Sequence, residues 1–318
     1  MEAVKTVFNK IQLFIYTQKK LMDKVKLNNG IDVPALCFGP GIMCRGRKAP
    51  HNFIQRVNYY IGTRLLERRY YEGILSAIDN GLRFIDYSAA YGREDLISKA
   101  IIKSGIDRKE FVLTTRVTNR AQMNGKVREV FFQSLKRYGV DYIDVLMFHW
   151  PVTDKYVDTF REMIKLKEEG YVRTLAVANC HKHHLDRIIK ETGVVPAINQ
   201  VEIHPLFSQK TLISECKSMG ITMEAYTPLA RFDERMTRLP LLKNMAAKYN
   251  KSISQIILRW HYQNGVIPVF RSLNSSRQKE NIDIFDFELT ADDIKAIDGI
   301  NINSRLRYDP DNCDFSIL

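Results

Sequence analysis

The sequence has little cysteine, and none of it is paired by spacing: Cys37, Cys44, Cys180, Cys216 and Cys313 make five in 318 residues, with no CxxC. That excludes a disulfide framework and is expected of a chain kept in a reducing, cytoplasmic compartment. No stretch of 18 apolar residues occurs, so no membrane span is expected. Lys5, Lys10, Lys19 and Lys20 interrupt the apolar runs of the N-terminus, which therefore lacks a secretory core. There is no low-complexity segment and no RNA- or DNA-binding signature, so a nucleic-acid partner is not expected. A glycine-rich phosphate loop is missing too: the first strand-like run leads into GPGIMCRG, not GxGxxG, which argues against an open, doubly wound sheet.

What is present is an ordinary globular composition, 45% hydrophobic and 26% charged, with a net charge of +12. Residues 1–70 hold 13 of the basic and four of the acidic residues, so most of the surplus lies there. Within that segment, Val4, Phe8, Ile11 and Ile15 stand at helical spacing, so residues 1–25 are read as a basic, helical N-terminal extension. Residues 26–318 are read as one domain. Its basic, aromatic connection over 43–70, with an insertion at about 43–63, is expected to form a lid or partner surface.

Eight short apolar runs alternate with amphipathic stretches: 35–39, 83–88, 111–116, 142–150, 174–179, 197–203, 222–228 and 266–271. They are continuous rather than alternating, as in parallel strands buried on both faces. Helical patterns at 124–137, 155–168, 208–218 and 252–264 fall between them, and Gly81, Gly139, Gly170 and Gly220 stand where helices need left-handed ends. Strand then helix, eight times, predicts an α/β (β/α)₈ (TIM) barrel.

Polar residues recur at the ends of these apolar runs: Asp86, Arg116, His149, Asn179 and Arg271, with Gln200 and Tyr226 close to theirs. A charge beside an apolar core costs several kcal/mol unless paired, so their convergence on one barrel mouth points to chemistry rather than packing. Tyr91 follows Asp86 by five residues. A phenol is a poor acid at neutral pH; a neighbouring cation lowers its pKa, a carboxylate holds the cation, and an imidazole orients an oxygen. Asp86, Tyr91, Arg116 and His149 thus suit general-acid reduction of a carbonyl.

FIDYSAAYGRED, MFHWP, AINQVEIHP, EAYTPLA and RSLNSSRQKEN, together with VKLNNGIDVPAL, resemble blocks of the aldo-keto reductase family, in order over about residues 25–315. The resemblance implies the barrel, an N-terminal hairpin, NADPH as cofactor, a small-molecule carbonyl substrate, and a monomer or small homo-oligomer. It places Asp86, Tyr91, Arg116 and His149 in the catalytic tetrad, and Asn179 and Gln200 on the nicotinamide carboxamide. Tyr226 would stack on the ring, and Arg271, Ser272, Arg277 and Asn281 would grip the 2′-phosphate and adenine. Ser276 is expected to cap the helix there. The family usually has Lys at the position of Arg116 and often Ser at that of Ala178; Lys is also usual where Arg271 stands. GPGIM replaces GTW, which leaves Trp150 to line the pocket. The alternative to a reductase is an NADPH-binding sensor with weak or no catalysis, favoured by Arg116 and Ala178. The tail after Pro310 is short, which predicts an open pocket. Cys180, His181, His183 and His184 have no matching distant ligand, and no metal is expected. His204 is read as structural, and Thr290 with Asp293 as a capping box.

Overall fold

A computed structural model describes residues 22–42 and 53–317, the side chains from residue 59 in the second span. The helix expected over 1–25 lies almost entirely outside the described residues, as does the start of the 43–70 connection.

Strands β1 (Lys24–Lys26) and β2 (Asp32–Pro34) pair antiparallel as the expected hairpin. Its turn packs beneath the barrel, where Asn28 Nδ2 donates to Pro196 O at 3.1 Å and Asn29 Nδ2 to Thr174 Oγ1 at 3.1 Å. The barrel comprises β3 (Cys37–Phe38), β4 (Phe84–Asp86), β5 (Val112–Val117), β6 (Ile143–Phe148), β7 (Val172–Ala178), β8 (Ile198–Glu202), β9 (Thr222–Tyr226) and β10 (Val266–Phe270). All eight are parallel, each pairs with the next, and β10 closes on β3. Each apolar run falls on one of these strands, six of them containing it whole, while β5 ends one residue after its run and β7 begins two before; the four predicted helices appear as Val127–Tyr138, Tyr156–Glu168, Lys210–Ser218 and Ile253–Gln263. Much of the barrel interior is filled by Cys37, Phe84, Val145, Met147, Ala176, Ile198 and Ile267, so it is a packed core rather than a pore.

The 43–70 connection is not a loop throughout. From Phe53 it belongs to a 27-residue helix, Phe53–Asp79, whose later part packs through Tyr70, Ile74, Ala77 and Ile78. Its first described turns instead expose Tyr60 and Leu65, so no continuous apolar stripe announces a helix there. Gly139 ends Val127–Tyr138 at φ 61, the left-handed conformation expected of a glycine C-cap. The Thr290–Asp293 capping box is present. No described helix is long and apolar enough to cross a membrane.

Candidate active site at the barrel mouth

The strand ends bring the expected residues to the C-terminal end of the barrel. Asp86 closes β4, and Tyr91 lies on the single 3-10 turn Ala89–Tyr91 that follows, started by the Ser88 side chain. Arg116 is the penultimate residue of β5, and His149 follows β6 directly. Asp86 and Arg116 are both buried, with the guanidinium wedged between strands. Its Nη2 lies 2.7 Å and 2.8 Å from the two Asp86 oxygens and 2.6 Å from Gln200 Oε1. Nη1 donates to Tyr87 O at 2.9 Å. Nη2 thus hydrogen-bonds Asp86 Oδ2 and Gln200 Oε1, with Asp86 Oδ1 at ion-pair distance only, so the pair is not a two-nitrogen fork, and Nη1 locks the start of the turn that carries Tyr91.

Tyr91 OH and His149 Nε2 stand 3.5 Å apart, and both residues are partly exposed. The Arg116 guanidinium carbon lies 5.7 Å from the Tyr91 ring centroid but spends its hydrogen bonds elsewhere. This corrects the expectation of a lowered Tyr91 pKa. Burial is the largest effect and raises it above the ordinary value of 10; the cation of Arg116 opposes burial without overcoming it. Burial, then the charges of Arg116 and Arg307, push the His149 imidazole down to about 3, so it is neutral at physiological pH.

Asn179 follows β7 at φ 59, a left-handed conformation that Asn tolerates better than most residues. Its Nδ2 donates to His149 O at 2.9 Å, and its Oδ1 accepts from Tyr226 OH at 2.7 Å. Gln200 Nε2 donates to Glu224 Oε2 at 3.0 Å. Glu224 sits inside the barrel on β9, where burial and the nearby Asp86 charge raise its pKa to about 8. The carboxyl is therefore largely protonated at neutral pH, and Asp86 and Arg116 remain the one charged pair of this buried group. Sequence reasoning passed over Glu224; its signal was an acid in the middle of the apolar run TMEAY.

The phosphate-binding expectations converge on a separate cleft of about 350 Å³, lined by Arg69, Arg271, Ser272, Leu273, Asn274 and Arg277. Arg271 Nη2 donates to Tyr70 OH at 3.2 Å. Gly41, at φ 89 in the left-handed region that favours glycine, lets the backbone pass close to the Arg271 guanidinium, which a Cβ there would displace. The helix Ser275–Ile282 opens on this cleft; Asn281, near its other end, is buried and does not line the cleft. Its cap is Asn274, whose side chain accepts from Arg277 N; Ser276 lies inside the helix, two residues too late to cap it. Arg69 was missed because its segment was read as a loop.

The tail does not leave the mouth fully open, as its shortness suggested. The buried Glu202 carboxylate, at the end of β8, accepts from Leu306 N at 2.6 Å and Arg307 N at 2.8 Å, and Asn119 Nδ2 reaches Phe315 O at 3.4 Å. The tail is thereby strapped over the loops after β5 and β8. It brings the Arg307 charge within electrostatic range of Tyr91 and His149. His204 is fully buried and bonds Glu202 at 2.9 Å, consistent with a structural role. Trp150 is buried, with its carbonyl held by Gln122 Nε2 at 3.0 Å.

A parallel eight-stranded barrel with an acid, a phenol, a cation and an imidazole at its C-terminal mouth defines an oxidoreductase-like (β/α)₈ protein. The sequence model of the Aldo/keto reductase family matches residues 62–302, and the chain belongs to that family. It is 37% identical over 295 residues to the glyoxal reductase of Bacillus subtilis, covering 93% of this chain and 99% of that protein. An aldo/keto reductase structure from Brucella melitensis superposes with a TM-score of 0.77 at 37% identity, covering 88% of this chain and 99% of the other. An aldo-keto reductase of Bombyx mori solved in complex with NADP gives a TM-score of 0.79 at 29% identity, covering 91% and 96%.

Proposed function

We propose that this chain is an NADPH-dependent reductase of aldehydes or ketones, with Tyr91 as the general acid. The observation that carries the reading is the Tyr91 hydroxyl 3.5 Å from His149 Nε2, beside the buried Asp86–Arg116 pair. Bound NADPH supplies the hydride. The cleft fits the cofactor's adenosine end: three guanidinium groups (Arg69, Arg271 and Arg277) with no acid among the lining residues suit a 2′-phosphate. Ser272 and Asn281 complete that end, and Asn179, Gln200 and Tyr226 face the nicotinamide, Trp150 the substrate pocket.

In this reading the neutral His149 hydrogen-bonds the substrate oxygen without competing for its proton, and Tyr91 remains protonated until that oxygen gains charge. Arg116 pins the turn before Tyr91 through Tyr87 O and supplies positive charge beside the developing alkoxide. Arg307 adds a second cation, which favours anionic or phosphorylated carbonyls, and the Bacillus relative puts glyoxal at the head of any substrate panel.

The test is NADPH binding by fluorescence quenching, then NADPH oxidation with aldehydes and ketones. Tyr91→Phe is expected to lower kcat/KM by about 10²–10⁴-fold while leaving NADPH affinity intact. Loss of cofactor binding in that variant would refute the assigned role. One observation favours the sensor alternative: the Arg116 hydrogen bonds go to Asp86, Tyr87 and Gln200, and none to Tyr91. Tight NADPH binding without turnover of any carbonyl would select that alternative.

A further inference from the structure

The segment NCHKHH, residues 179–184, runs from the end of β7 into the first turn of the helix Lys182–Thr192, for which His181 is the N-cap residue. From sequence it had no distant partner. The fold supplies one, 130 residues downstream: Asp311 Oδ2 stands 2.7 Å from His181 Nδ1. Its Oδ1 stands 3.1 Å from His183 Nε2 and 3.5 Å from His184 Nε2. The ligand atoms of His181, His183 and Asp311 all lie within 4.8 Å of one another.

We propose that His181, His183 and Asp311 form a binding site for a divalent transition-metal ion of the zinc class, which clips the C-terminal tail to the loop after β7. Two imidazoles and one carboxylate are borderline N/O donors, which suit Zn²⁺, Co²⁺ or Ni²⁺ better than Mg²⁺ or Ca²⁺. Bonds of about 2.0–2.2 Å at tetrahedral angles put ligand atoms about 3.3 Å apart. The 2.7 Å and 3.1 Å separations, which run to different oxygens of Asp311, therefore open by roughly 0.2–0.6 Å, and the His181–His183 pair closes from at most 4.8 Å. The side chains that must move can do so, His183 being 62% and Asp311 44% exposed. Water takes the fourth position.

His184 is not a ligand. Its Nδ1 accepts from His181 N at 3.2 Å, so its Nε2 carries the proton and donates toward Asp311, orienting the carboxylate. With a metal on His181 Nδ1 the proton of that ring sits on Nε2, and Arg305, 3.5 Å away, turns to Asp309 Oδ2, also at 3.5 Å. The site includes neither Tyr91 nor His149, and its consequence is mechanical. It fixes the strand of tail that carries Arg305 and Arg307 over the mouth.

The experiment uses tag-free, chelator-stripped full-length chain, titrated with ZnCl₂ by calorimetry and with CoCl₂ by visible absorption. One ion per chain is expected, with tetrahedral cobalt bands. His183→Gln, at an exposed position, and Asp311→Asn should each weaken uptake by at least about 10-fold, the low end of what loss of a mere orienting partner costs. Cys313→Ser should leave it unchanged. Absence of uptake of both ions overturns the proposal. So does uptake that survives both substitutions, and so does uptake that is lost with Cys313, which would mark a thiol site. Circular dichroism and NADPH quenching of each variant separate a lost site from a lost fold.

Discussion

Replacing Arg116 by Met is expected to destabilise the chain far more than it changes its shape. The guanidinium is 1% exposed and the Asp86 side chain 8%, and the ion-pair distance is 2.7 Å. Removing one member of such a buried pair leaves the other as an uncompensated charge, at a cost of about 3–5 kcal/mol. Tyr87 O and Gln200 Oε1 also lose a buried donor, which brings the total to about 4–6 kcal/mol. In a domain of this size that lowers Tm by roughly 10 °C. The double variant Asp86→Asn with Arg116→Met removes the orphaned charge. It should recover about 2–3 kcal/mol, so the two substitutions are strongly non-additive. Urea unfolding followed by the fluorescence of the buried Trp150 and Trp260 measures all the states needed. An Arg116→Met variant within about 1 kcal/mol of the parent, or a double variant no more stable than the single, refutes the buried-pair account. Both variants should also lose turnover, because the turn that carries Tyr91 is no longer held through Tyr87 O.

Three further outcomes follow from particular contacts. Arg277→Ala removes one of the three cleft guanidiniums and should weaken NADPH binding about 10–100-fold while leaving NADH nearly unaffected, read from paired quenching titrations. Glu224 holds its proton to about pH 8 in the folded chain but only to 4.5 unfolded, so the native state carries the extra proton between these values and stability falls as pH rises through that window. Glu224→Gln should flatten this slope in denaturation curves at pH 5, 6.5 and 8; an unchanged slope would place the titration elsewhere. Arg307→Ala leaves the backbone bond to Glu202 in place and should raise KM for a carboxylate-bearing aldehyde by about 10-fold with little effect on a neutral one.

The barrel was legible because its strands are buried on both faces and so read as eight short, predominantly apolar runs; a two-residue strand such as β3 still sits in a five-residue run. The site was legible because charges at the ends of such runs have no packing explanation. What escaped was whatever depends on depth or on distant partners. The helix from Phe53 exposes Tyr60 and Leu65 beside basic residues, and so looked like a surface loop. The Tyr91 pKa was read in the wrong direction because the sequence names the cation but not the burial that outweighs it. Glu202 and Asp311 became meaningful only when the fold placed the first beneath amides more than 100 residues away and the second among three histidines.

The charges of the interior explain why an arginine is accommodated at position 116. Asp86 and Arg116 cancel, and Glu224, protonated at neutral pH, adds no net charge. The longer, forked side chain reaches Gln200 Oε1 as well as Asp86, and the Gln200 amide in turn donates to Glu224, so the four polar strand residues form one connected network. A single ammonium at that point could meet the Asp86 carboxylate but not also span to Tyr87 O and Gln200 with fork geometry. The network makes Arg116 a rigid part of the barrel end. Tyr91 stands outside that network, partly exposed and close to His149, with the Arg307 charge approaching from the strapped tail.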